Sequence, residues 1–138
     1  MTTWLIDESA LIRLAASPDA ATWATRIQRG LVRISTVTRL EIGYSARSAT
    51  DLRQSATKSP LASMPVEYLT PKIEDRAVAV QLALANHGQH RGPSIQNILI
   101  AATAESAALT VMHLDKDFEI IAEVTGQPVE WLAVPAKP

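Results

Sequence analysis

Short apolar runs alternate with segments of helical period along the whole chain, and this alternation restricts the possible folds more than any other feature. The apolar runs are "TWLID", "LVRIS", "VEYL", "LTVMHL" and "VEWLAV". Between the first two lie "ESALIRLAAS", where Leu11, Leu14 and Ala15 share a helical face, and "DAATWATRIQRG". In the latter Asp19 is a candidate N-cap, Trp23 and Ile27 stand four apart, and Gly30 is a stop. "TVTRLEIGYSARS" puts Val37, Leu40 and Tyr44 on one stripe, and "DLRQSATKSPLASM" reads as a helix broken near Pro60. "PKIEDRAVAVQLALANHG" is ambiguous: Val78, Val80, Leu82 and Leu84 alternate like a strand, yet Ile73, Ala77, Val80 and Leu84 fit a helical stripe. Its length and alanine content favour helix, with Pro71 in the first turn and Gly88 at the end. "QHRGPS" is a loop, and "SIQNILIAATAESA" and "KDFEIIAEV" are helices. Strand–helix alternation predicts an α/β chain, a mainly parallel central sheet with helices on both faces. No repeat, low-complexity stretch or linker interrupts it, so one domain over residues 1–138 is expected.

Composition removes several function classes. No apolar run approaches the roughly 20 residues that span a membrane. The N-terminus "MTTWLIDESALIRLAAS" carries acids where a signal peptide carries bases. The expectation is a soluble, cytoplasmic protein. There is no cysteine, so disulfides, thiolate nucleophiles and Cys zinc sites are excluded. Net charge is −1, but residues 1–60 hold eight Lys/Arg against five Asp/Glu, and residues 61–138 five against nine. The basic set of Arg26, Arg29, Arg33, Arg39, Arg47, Arg53 and Lys58 suits either an RNA backbone or an ordinary solvated surface.

Acidic residues fall where an α/β sheet binds ligands, outside the carboxyl ends of its strands. Asp7 ends the first apolar run; Asp115 follows the fourth, with Asp117 two residues later. Each also suits a turn or helix cap. Glu41 is four residues after Val37 on the side expected to face the core, where a carboxylate needs a partner; Arg39 and Arg47 are candidates. Asn97 shares a helical face with Ile100, Ala101, Ala104 and Ala108, so its amide also needs a partner. Four polar groups on inward faces suggest one pocket. Clustered carboxylates repel unless neutralised, and oxygen-only ligands point to Mg²⁺ or Mn²⁺ rather than zinc. His87, His90 and His113 lack metal-site spacing and read as structural or surface residues. There is no phosphate-binding glycine loop, and Ser9, Ser35 and Ser45 have no triad context.

Four stretches, "WLIDESALIRL", "ISTVTRLEIGYSAR", "PSIQNILIAATAE" and "VMHLDKDFEIIAEVTGQPVEW", taken in order and spacing, resemble the PIN-domain ribonucleases, specifically the VapC-type toxins of type II toxin–antitoxin pairs. The resemblance covers essentially the whole chain. It implies a compact three-layer α/β/α fold with acids from four places around Mg²⁺ or Mn²⁺. Asp7 matches the first acid, Glu41 the second, and Asp115 best matches the fourth, with Asp117 close by as the alternative or a second contributor to that role. The third departs: the family has an Asp where this chain has Asn97. Metal ligation then falls to Asp7, Asn97 and Asp115.

The implied activity is metal-dependent endoribonucleolytic hydrolysis of RNA, weakened or lost here at Asn97. Either the chain is an inactive Asp-to-Asn variant made so that a toxin can be produced, or it is a natural homologue that is weakened or only binds RNA or antitoxin. Ser9 and Thr38 either adjust the acids by hydrogen bonding or cap helices. The resemblance also implies a VapB-type antitoxin, a homodimer, and toxin–antitoxin hetero-oligomers. The early helices, with Trp23 and Ile27, offer a groove or simply core. A phosphatase with an Asp7 nucleophile is the enzymatic rival, and it wants an acid where Ser9 stands.

Overall fold

The structure is a computed structural model, and it describes residues 1–136. In chain order the elements are β1 (Trp4–Ile6), α1 (Glu8–Leu11), a 3-10 turn (Leu14–Ala16), α2 (Ala20–Gln28), β2 (Val32–Ser35), α3 (Thr36–Ser45), α4 (Ala49–Thr57), a second 3-10 turn (Leu61–Ser63), β3 (Val66–Glu67), α5 (Pro71–Asn86), α6 (Ile95–Ser106), β4 (Thr110–His113), α7 (Lys116–Thr125) and β5 (Val129–Trp131). All strand pairings are parallel, in the order β3-β2-β1-β4-β5. The expected three-layer α/β/α architecture is what forms. Among the described residues no helix is long and apolar enough to cross a membrane.

Period-two alternation sorts the strand side chains into two cores. Leu5 pairs with Val111 and faces α3, α5, α6 and α7, whose Val37, Leu84, Ile100 and Phe118 complete that layer. Trp4, Ile6 and Met112 face the other way, onto Ala10, Leu14, Trp23 and Ile27 of the early helices. The ambiguous segment is helical: Ile73, Ala77, Val80 and Leu84 are buried, while Val78 and Leu82 are exposed. Thr70 caps it by accepting from the Ile73 amide, and Pro71 stands at its first turn.

Chain order sets the site. From the central β1 the chain moves outward to β2 and β3, then crosses back to β4 on β1's other side. The carboxyl ends of β1 and β4 therefore flank the switch point of the sheet, where a crevice opens between diverging connections.

Several expectations are corrected. Leu40 is 69% and Tyr44 93% exposed, so Val37 does not share a buried stripe with them. Ser35 accepts from the Thr38 amide and fixes the start of α3, turning Val37, Thr38 and Glu41 inward. Ala15 is exposed because the first helical segment breaks into α1 and a 3-10 turn. Asp19 sits at the N-cap of α2 without a side-chain capping bond; its own amide donates to Ser17 Oγ. Ala108 lies past the end of α6, exposed, at φ 56°. Trp23 and Ile27 are core, each 3% exposed.

Candidate active site

Three helices begin around the switch point, and their capping ties the acids down. Asp7, directly after β1, is the N-cap of α1 and accepts from the Ala10 amide at 3.0 Å. The Ser9 hydroxyl lies 2.8 and 2.7 Å from its two carboxylate oxygens, and Ser9 Oγ in turn accepts from the Leu114 amide at 2.9 Å. Ser9 thus links the end of β1 to the connection after β4. Asp115 is the N-cap of α7, its Oδ1 accepting from the Asp117 amide at 2.9 Å. Asp117 Oδ2 accepts from the Ser94 amide at 2.9 Å, and Ser94 is the N-cap of α6. The capping reading of the strand-end acids is therefore correct and compatible with a pocket: helix N-termini offer the amides and partial positive charge that hold carboxylates together.

Asn97 is 6% exposed on the inward face of α6. Its Nδ2 donates to Asp115 Oδ2 at 3.0 Å and to Asp117 Oδ2 at 2.9 Å. The amide's partner is thus a pair of carboxylates, Asp115 and Asp117.

Glu41 is half-buried on α3, and neither arginine reaches it. Among the described residues Arg47 pairs with Asp51, Arg39 forms no ion pair, and the buried Glu41 Oε1 has no hydrogen-bond partner. Its carboxyl is held above its ordinary range, first by burial, then by the charges of Glu8, Asp7 and Asp115. Burial pushes the Asp7 carboxyl up to about 6; the Ser9 and Ala10 hydrogen bonds oppose this, and the Asp115 charge adds to it. Two carboxyls on different elements are thus displaced by desolvation and like charge, the combination found where proton transfer is done.

His113 carries out the structural role expected of it. It is fully buried, its ring 4.5 Å from Trp131 and 5.2 Å from Phe118. Nδ1 accepts from the Asp115 amide at 3.1 Å, so the imidazole positions the acid. Burial pushes its pKa down, against the neighbouring Glu119 charge. His87 and His90 are exposed in the loop after α5. Thr38 is buried and receives the Ser35 hydroxyl at 3.1 Å.

Two participants were not singled out from sequence. Glu8 faces Glu41 electrostatically and accepts from the Ser45 hydroxyl at 3.3 Å. Ser94 supplies a backbone amide, which no side-chain pattern announces; the S-x-x-N capping spacing of "SIQN" was its available signal.

Comparison with known proteins agrees with this architecture. Residues 4–124 match the PIN domain family. Ribonuclease VapC2 of Mycobacterium tuberculosis (strain CDC 1551 / Oshkosh) is 60% identical over 94% of this chain and 92% of its own length. Ribonuclease VapC21 of M. tuberculosis (strain ATCC 25618 / H37Rv) is 40% identical over 97% and 96%. Among solved structures, VapBC-5 of M. tuberculosis, a member of the VapBC family of toxin–antitoxin systems, superposes with a TM-score of 0.65 at 25% identity, covering 97% of this chain and 100% of that one. DNA-bound VapBC from Salmonella typhimurium reaches a TM-score of 0.72 at 17% identity, over 95% and 98%, which speaks for the fold alone. With a family match over most of its length and relatives at this level of identity, the chain belongs to the PIN-domain family, as a VapC-type ribonuclease toxin of the toxin–antitoxin systems.

Proposed function

We propose that the chain is built to hydrolyse RNA phosphodiester bonds as the toxin of a toxin–antitoxin pair, and that Asn97 weakens this chemistry. One observation carries the reading: the Asn97 amide nitrogen lies within hydrogen-bond distance of both Asp115 and Asp117. A neutral donor stands where the resemblance calls for the third acid, while Asp7, Glu41, Asp115 and Asp117 are present around it.

For a divalent cation the donor chemistry fits and the charge falls short. Oxygen-only side chains suit a hard ion, Mg²⁺ or Mn²⁺. Among the described residues no three His, Cys, Asp or Glu side chains stand close enough to hold one. Asp7, Asn97 and Asp115 are the residues that would hold it. Such an ion, when bound, lowers the pKa of a coordinated water and stabilises charge on the phosphate. The chain's own groups do the rest. Ser9 and the Ala10 amide fix the Asp7 carboxylate. Glu41, with its raised proton affinity, and Asp115 orient or deprotonate an attacking water. His113 and Asn97 hold Asp115 in place.

RNA is the proposed substrate, and a VapB-type antitoxin the proposed partner, in a homodimer and in toxin–antitoxin hetero-oligomers. An apolar groove lined by Ile34, Leu40, Ile42, Leu52, Ala56 and Leu61 supports a protein partner. Residues 1–138 act as a single cytoplasmic domain in this reading. The same Asn97 hydrogen bonds favour a second reading, a non-catalytic homologue that binds RNA or antitoxin. Incubating this chain and its Asn97→Asp form with single-stranded RNA and Mn²⁺ separates them. Cleavage by the Asn97→Asp form alone is expected. Equal cleavage by both overturns the role given to Asn97, and no cleavage by either favours the binding homologue.

A further inference from the structure

An acid-lined pocket repels the polyanion it is meant to cut. A phosphodiester strand reaches Asp7, Glu41, Asp115 and Asp117 only if cations nearby hold its backbone. The composition places most of the basic charge in residues 1–60, but the fold uses much of that charge elsewhere. Arg33 pairs with Glu67. Arg26 stacks over Trp4 and Trp23, 4.6 and 4.5 Å from their ring centroids. Arg29 follows α2 just before β2 begins, at the amino edge of a wholly parallel sheet and away from the acids. Arg39 lines the apolar groove on the side of α3 away from Glu41.

Two cations of the second half stand beside the acids instead. Lys116 opens α7, between Asp115 and Asp117 in sequence. Arg91 lies in the loop that delivers Ser94, whose amide binds Asp117. That loop packs on α7: a side chain at Gly92 would meet Ile120 at 4.0 Å. Both residues are exposed. Although three acids cluster at the start of α7, neither Lys116 nor Arg91 forms an ion pair among the described residues. Cations that no acid takes up keep their charge available to a ligand.

We propose that Arg91 and Lys116 form the phosphate-binding rim of the site, holding the RNA backbone next to the acid cluster. The inference rests on the RNA reading above and gives these two residues the backbone contacts next to the acids. Because phosphate contacts release counterions, each contributes to the salt dependence of binding, about 0.7 in the slope of log K against log salt per contact on single strands.

The test uses the full chain with Asn97 in place, EDTA, and a fluorescently labelled single-stranded RNA of mixed sequence, followed by anisotropy at several salt concentrations. Removing both charges with Arg91→Ala and Lys116→Ala should weaken binding and reduce the slope by about 1.4. Arg91→Lys with Lys116→Arg should restore it, and Arg29→Ala should leave both affinity and slope unchanged. Melting temperatures should not move, since both side chains are exposed. An unchanged slope in the double Ala variant overturns the rim while leaving RNA binding standing. An equal loss in Arg29→Ala also overturns it, because binding then follows overall charge. No RNA binding by the parent chain overturns both the rim and the RNA reading beneath it.

Discussion

The two ends of the sheet treat charge in opposite ways. At the amino end of β1, the Trp4 indole N–H donates to Glu130 at 3.1 Å, Trp4 and Trp23 pack edge to face at 4.9 Å, and the Arg26 guanidinium covers both rings. Cation, acid and aromatic faces satisfy one another there. At the carboxyl end, Asp7, Glu41, Asp115 and Asp117 gather with one amide among them, and Glu41 keeps an orphaned oxygen. The first arrangement stabilises the fold. The second is strained by its own charge, as expected where function is placed ahead of stability. On the proposed function, truncations within the Trp4–Trp23–Arg26 cluster should therefore cost stability and spare the chemistry, and charge removal at the carboxyl end should do the reverse.

The largest effect belongs to the amino end. Trp23 is 3% exposed, and Trp23→Ala should cost about 3–5 kcal/mol, the range for deleting a buried aromatic. Urea titration of the metal-free chain measures it. A loss below about 1 kcal/mol would mean that Trp23 lines an open groove rather than the core.

Next is Asn97→Asp without metal. It replaces two hydrogen bonds to carboxylates by a third like charge. Hydrogen bonds to charged groups contribute about 1.5–3 kcal/mol each; Asp115 and Asp117 are only half-buried, so water replaces part of the loss and a drop of roughly 2–4 kcal/mol is expected. Mn²⁺ should then raise the melting temperature of the Asn97→Asp form more than that of the parent. At a concentration of about 100 times the dissociation constant, the gain is roughly 2.7 kcal/mol. Identical melts and identical responses to Mn²⁺ would separate Asn97 functionally from the acids.

The third prediction concerns Asp7 and pH. Burial pushes its carboxyl up to about 6 in the fold, from an ordinary value of 3.8. Between those values the folded chain binds more protons than the unfolded one, so this group's contribution to stability falls as pH rises through the window and levels off above it. Asp7→Asn keeps an acceptor for the Ala10 amide and removes the charge. It should raise metal-free stability by about 2 kcal/mol at pH 8 and have little effect at pH 3.5. Equal effects at both pH values would tie the change to capping instead of charge.

Sequence made the order of elements and the positions of the acids legible, because both depend on local pattern. Strand–helix alternation leads to a parallel sheet, and parallel strands place Asp7 and Asp115 at one edge. The amphipathic period also resolved the Pro71–Asn86 helix correctly, since Ile73, Ala77, Val80 and Leu84 bury together. What stayed hidden depends on phase and on backbone. Leu40 and Tyr44 look like core residues until the Ser35 cap sets the rotation of α3. The Ser94 amide that binds Asp117 carries no side-chain signature. The use of Arg26 and Arg33 in internal contacts follows from tertiary pairing across 22 and 34 residues, which a charge count does not reveal.

The smallest effect tests whether strain at the amino end is merely structural. Ala108 is the one non-glycine residue among those described with positive φ, at 56°, in the turn that carries α6 into β4. For a residue with a Cβ the left-handed region costs about 1–2 kcal/mol. Glycine removes that cost but loses about 0.4–1 kcal/mol through the greater freedom of its unfolded chain. Ala108 is exposed, so no packing is lost. Ala108→Gly should therefore stabilise the chain by about 0.5–1 kcal/mol, seen as a small rise in melting temperature. Its turn lies between the C-terminus of α6 and the start of β4, at the far end of α6 from Asn97. The variant should then leave RNA affinity and the response of the Asn97→Asp form to Mn²⁺ unchanged. A shift in either would mean that α6 transmits strain from its C-terminus to the acids at its N-terminus, and that the two ends of the sheet are coupled through that helix.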